Sequence, residues 1–69
     1  MMRAKRIEVT AGGSTYEVHD GRRWWVAFST KNGDWSITNG PRLTEVSASG
    51  ALGKQIIKAV EEFEAAMMK

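Results

Sequence analysis

The chain has no cysteine, a single histidine, a single proline, and no apolar run longer than five residues. Without cysteine there is no disulfide staple, no thiolate metal site and no thiol redox chemistry. One histidine, His19, cannot build a structural zinc site. No segment approaches the roughly 20 apolar residues of a spanning helix. The basic stretch from Met1 to Arg6 is followed by no apolar core of the kind a secretory signal needs. A cytoplasmic protein with no cofactor, no metal and no membrane partner is the expectation.

Sixty-nine residues are expected to form one domain, 1–69. At that size folding buries about 60% of the unfolded chain's surface, and the core rarely supplies more than about 3–5 kcal/mol. Without a staple, good packing or self-association must supply the rest, so a homodimer is one expected route. The net charge of +2 is mild and uneven. Residues 1–42 carry seven Lys/Arg against four Asp/Glu, and residues 43–69 carry three against four. Such a balance permits nucleic acid without demanding it.

What is present reads as short alternating runs followed by one long helical pattern. Ile7 and Val9, then Tyr16 and Val18, alternate with polar residues around Gly12-Gly13. A two-residue turn there places Val9 opposite Tyr16, Ile7 opposite Val18 and Glu8 opposite Glu17. A three-residue loop, His19-Asp20-Gly21, then pairs Tyr16 with Trp24 and Glu17 with Arg23. Asn32-Gly33 is the strongest hairpin signal and pairs Thr30 with Trp35 and Phe28 with Ile37. In these registers Ile7, Val9, Tyr16, Val18, Trp24, Val26, Phe28, Trp35 and Ile37 share the core face. Trp25 then points to the outer face.

Asn39-Gly40-Pro41 ends the fourth run. Residues 42–46 read either as a short edge strand or as an extended crossover, with Leu43 or Val46 tucked in. Ser47 or Ser49 is the expected N-cap of a helix from about Gly50 to Met68. Its apolar stripe is Leu52, Ile56, Val60, Phe63 and Met67, widened by Ile57 and Ala59. Nineteen helical residues span roughly 28 Å, more than a six-residue strand at about 20 Å. The last turn should overhang the sheet. The expected fold class is therefore α+β, a four-stranded antiparallel β-meander with one C-terminal α-helix packed on one face (ββββα).

Catalysis is not expected. His19 and Asp20 are neighbours at a bend, where side chains diverge, and no nucleophile elbow is present. Gly50-Ala51-Leu52-Gly53-Lys54 fails as a phosphate-binding loop, because position 48 is Ala and Gln55 stands where Ser or Thr is needed. A weaker expectation is one anion held by the helix start with Arg42 and Lys54. The favoured reading is that Gly50 and Gly53 let the helix start lie close against the sheet.

The outer sheet face is the strongest candidate surface. There Trp25 and Arg23 would anchor a protein partner. In the alternative, Trp25 stacks on a base while Arg6, Arg22, Arg23 and Lys31 contact phosphates of single-stranded nucleic acid or duplex DNA. A third reading has Trp25 covered by the N-terminal arm or by residues 42–46.

The outline resembles single-strand-binding coactivator-like domains and the arm-binding domains of phage integrases, without a shared motif. In type, a short cysteine-free chain resembles accessory products of phage and mobile elements, anti-CRISPR inhibitors among them. That resemblance implies a non-catalytic regulatory or inhibitory protein acting through protein–protein contacts.

Overall fold

Turn chemistry decides how this sheet is registered, and through that which side chains it buries. In a computed structural model describing residues 2–68, five strands precede one helix. They are β1 (Arg3–Thr10), β2 (Gly13–His19), β3 (Trp24–Thr30), β4 (Trp35–Asn39), β5 (Glu45–Val46) and α1 (Ala51–Met67). The strands form one antiparallel sheet in the order β1-β2-β3-β4-β5. The α+β meander with a C-terminal helix is as expected. The ambiguous segment resolves into a short fifth strand, with Val46 packed on the core and Leu43 exposed.

Each turn departs from its expected register. The first closes one step earlier, with Thr10 opposite Gly13 and the Thr10 Oγ1 accepting the Gly12 N–H at 3.3 Å. A bulge between Arg6 and Glu8 then shifts the ladder, so Ala4 rather than Ile7 faces Val18. Ile7 and Val9 are exposed instead of buried.

The second loop is four residues long, Asp20 to Arg23, rather than three. The Asp20 N–H donates to the Arg23 carbonyl at 3.1 Å. Its carboxylate accepts the backbone N–H of Arg22 at 2.9 Å and of Arg23 at 2.8 Å. One side chain thus satisfies two donors that a shorter loop would leave to water. Val18 now faces Trp25 and Tyr16 faces Ala27.

The third loop uses Asn32-Gly33 differently from a two-residue turn. Gly33 has φ 91°, its N–H donates to the Thr30 carbonyl at 3.1 Å, and the Thr30 N–H donates to the Asp34 carbonyl at 2.9 Å. This is a turn closed by a left-handed glycine, with three loop residues. Ser29 therefore faces Trp35 and Ala27 faces Ile37.

The second and third slips each reverse the side-chain faces between neighbouring strands, because the strand period is two. Across both, they cancel. Strand β4 keeps its expected orientation, with Ile37 buried and Trp35 half-buried, and β3 alone is turned over. The expected core set is corrected accordingly: Trp25 and Ala27 are buried, while Trp24, Val26 and Phe28 lie on the opposite face.

The helix behaves nearly as its pattern predicts. Ile56, Ala59 and Val60 are buried, with Leu52, Ile57 and Phe63 packed at the margins. The N-cap is Gly50, with extended backbone and no side-chain cap bond; Ser47 and Ser49 bond each other at 3.0 Å instead. Near the C-terminus the helix ties to the sheet. Glu64 accepts hydrogen bonds from the Tyr16 hydroxyl and, at 3.4 Å, from Arg6. Tyr16 and Phe63 meet edge to face at 6.2 Å. Past this tie the last turn stands free, leaving Met67 58% and Met68 85% exposed.

Candidate functional site

The face of the sheet turned away from the helix carries a row of three large apolar side chains on its central strand. Trp24, Val26 and Phe28 alternate along β3 with the buried Trp25 and Ala27, and each remains partly exposed. At about 3.4 Å per residue the row is about 14 Å long. Glu17 and Thr38 flank Val26, and Thr15 and Ser36 flank Phe28.

Trp24 is the best-fixed member. A Cβ on Gly40 would lie 2.2 Å from its Cδ2, so only glycine lets the indole rest flat against the end of β4. The Gly40 N–H donates to the Trp24 carbonyl at 2.9 Å. The His19 ring stacks on the indole at 6.4 Å and 24°, and its Nε2 lies 2.5 Å from Glu17 Oε1. His19 thus lies between a carboxylate and an aromatic ring while its side chain stays exposed. Glu17 faces Lys5 across the ladder rather than Glu8, so the expected pair of opposed carboxylates does not form.

The anchor expected at Trp25 is not on this surface. Trp25 is 1% exposed and belongs to the core on the helix side of the sheet, against which Met2 and Val46 also pack. Arg23 serves that same tryptophan: its Cζ lies 5.2 Å from the ring centroid, and its side chain bonds Asp20 at 3.2 and 3.3 Å. Arg6 likewise leaves the outer face, since it pairs with Tyr16 across the ladder and with Glu64 of the helix. Arg22 and Lys31 are exposed, but they sit in loops at opposite ends of β3. Arg42 is exposed in the β4–β5 connection and Lys54 in the first helical turn. Gly53 is filled against by the chain entering the helix, a Cβ there falling 2.0 Å from the Ser47 carbonyl oxygen. Its role is close packing against residues 47 and 48, not against the sheet.

The charged rim is lopsided. Arg3, Arg22, Arg23 and Arg42 all lie at the Trp24 end of the sheet, because Arg3 faces His19 and both loops open there. Asp20 offsets Arg23, and its carboxyl is lowered to about 2 by the backbone N–H groups of Arg23 and Arg22 and by the Arg23 guanidinium. On the helix side, burial and the bond to Glu64 push the Tyr16 phenol above its ordinary value. Among the described residues no group of three or more His, Asp or Glu is placed to hold a metal ion, and no helix is long and apolar enough to cross a membrane.

Sequence reasoning missed the Trp24–Val26–Phe28 surface because it assigned those residues to the core. One signal pointed the other way: in the four-residue loop Asp20 caps two backbone donors, of Arg22 and Arg23. Comparison with protein-family models, with curated proteins and with solved structures finds no match.

Proposed function

We propose that this chain is a non-catalytic binding protein that regulates or inhibits a larger protein by laying the open face of its sheet on that partner. The observation that carries the reading is the row of Trp24, Val26 and Phe28, partly exposed on the central strand of a sheet whose other face is covered. Aromatic side chains held rigid and half-buried lose little freedom on contact and dominate binding energetics. Thr15, Glu17, Ser36 and Thr38 around them supply the polar rim such contacts use. The arginines at one end call for a partner with an apolar patch and acidic side chains beside it.

The test is capture from nuclease-treated host lysate with the wild-type chain, Phe28→Ser and Trp24→Ser. Thermal melts establish that each variant is folded. The same proteins should be retained by wild type and lost by both variants. Unchanged retention overturns the reading.

The cluster of Arg3, Arg22 and Arg42 around the stacked Trp24 favours a second reading, a single-strand nucleic-acid interface. Fluorescein-labelled oligo-dT and oligo-rU are its probes. Binding should fall steeply with salt and be lost in Trp24→Ser. No binding at low salt removes it.

A further inference from the structure

Strand β1 is the longest in the sheet and lies at its edge, whereas the opposite edge strand, β5, has two residues. Long edges are usually blunted by charge or by bulges. The bulge in β1 also changes which residues share a face. Opposite β2, Arg3, Lys5, Glu8 and Thr10 fall on the open face, while Ala4 and Val9 fall on the helix side.

That change of phase matters for self-pairing. A regular strand laid antiparallel on its own copy matches faces only when paired positions sum to an even number. Across the bulge the rule inverts, and odd sums match. We infer that two copies of this chain pair through β1 about a two-fold axis within the bulge. In that register, Lys5 faces Glu8 of the partner subunit, Ala4 faces Val9 of the partner subunit, and Arg3 faces Thr10 of the partner subunit.

Other odd registers are worse. Moving the axis one way sets Arg3 opposite Glu8 of the partner subunit but puts Lys5, on the open face, opposite Arg6 of the partner subunit, on the helix side, so the faces no longer match there. Moving it the other way sets Ile7 opposite Glu8 of the partner subunit and leaves Lys5 without an opposed carboxylate. The chosen register forms two Lys5–Glu8 pairs on the open face and two small apolar pairs on the helix side.

The helix fits the same arrangement. It runs beside β1 in the same sense, since Met2 shares a depression of about 250 Å³ with Gln55, Lys58, Ala59 and Glu62, and Arg6 bonds Glu64 one turn on. Past that bond the helix end exposes Met67 and Met68, and Val9 is exposed near the far end of β1. A two-fold that brings Val9 beside Ala4 of the other copy brings those methionines to its depression, and flexible thioethers fill irregular grooves well. Both open faces end on the same side of a continuous ten-stranded sheet, so the dimer displays the Trp24–Val26–Phe28 row twice.

Sedimentation across a wide concentration range tests this. Wild type should pass from 7.7 kDa monomer to a species of twice that mass. Lys5→Glu and Glu8→Lys should each weaken the dimer about tenfold or more, and the double swap should restore it. Because Lys5 also faces Glu17, a second measurement uses the absence of native cysteine. Mixed Lys5→Cys and Glu8→Cys chains should form the mixed disulfide faster than either variant links to itself. A monomer at every concentration, single swaps without effect, a double swap that does not recover, or self-linked dimers forming as readily as mixed ones would each overturn the pairing.

Discussion

Adjacent tryptophans on one strand offer a clean test, because exchanging their environments exchanges the cost of removing them. Trp25 is 1% exposed among Val18, Ala27 and Ile37, whereas Trp24 keeps part of its ring in water. A buried indole removes about 150–250 Å² from solvent, about 4–6 kcal/mol at 25 cal/mol per Å². Truncations of core aromatics measure about 3–5 kcal/mol. A chain of 69 residues has a total stability of about 3.5–10 kcal/mol. Trp25→Ala should therefore consume most of the stability and leave the chain near its unfolding midpoint at room temperature. Trp24→Ala removes a partly exposed ring that rests on Gly40 and His19 and should cost about 1–2 kcal/mol. Urea unfolding followed by far-UV circular dichroism separates the two. Acrylamide quenching in chains that also carry Trp35→Phe gives a second readout: the one then retaining only Trp25 should be shielded, and the one retaining only Trp24 accessible. If Trp24→Ala costs as much as Trp25→Ala, the assignment of faces to β3 is wrong, and the candidate surface goes with it.

Three other perturbations follow from particular contacts. Gly53→Ala should gain about 1 kcal/mol of helix propensity yet destabilise by about 1–3 kcal/mol overall, because the new methyl meets the Ser47 carbonyl oxygen at 2.0 Å; urea midpoints read the sign. The Tyr16 phenol is raised by burial, so the unfolded chain ionises first and stability should be full below pH 10 and fall as pH rises beyond it; Tyr16→Phe should flatten that alkaline limb in thermal melts. The Asp20 carboxyl is lowered to about 2, so its contribution is present above about pH 4 and is lost as pH falls through 2. The difference in melting temperature between wild type and Asp20→Ala should accordingly shrink across that window, and a constant difference would remove Asp20 from the loop's stabilisation.

Much of this architecture was legible in residue patterns and turn residues. The helix stripe from Leu52 to Phe63, the overhanging Met67, and the inward Tyr16, Val18 and Ile37 all follow from periodicity. What periodicity could not supply was the phase of β3. In Trp24-Trp25-Val26-Ala27-Phe28-Ser29 both alternations contain a tryptophan, and the larger apolar set is the one left outside. Phase came from loop chemistry: how many residues Asp20 can cap, and whether Gly33 closes a two-residue or a three-residue turn. Each choice turns on bonds worth about 1 kcal/mol, against a strand pattern that favours the opposite face. The Arg6–Glu8 bulge has a similar origin, since a strand with Ile7 and Val9 on one parity carries no sign of the extra residue that takes Ile7 out of the ladder.

The inverted phase of β3 is itself informative. Burying Trp24, Val26 and Phe28 would remove far more apolar surface than burying Trp25 and Ala27, and Ser29 is on the helix side as well. A small chain without disulfides has every reason to bury the larger set. This one instead seats Ala27 at full burial on the side of a helix presenting Ile56, Ala59 and Val60, and leaves the bulkier row only partly buried. Departures from local consistency concentrate where a protein meets something else. The stability forgone by exposing that row is about the size that a partner's surface would return on covering it.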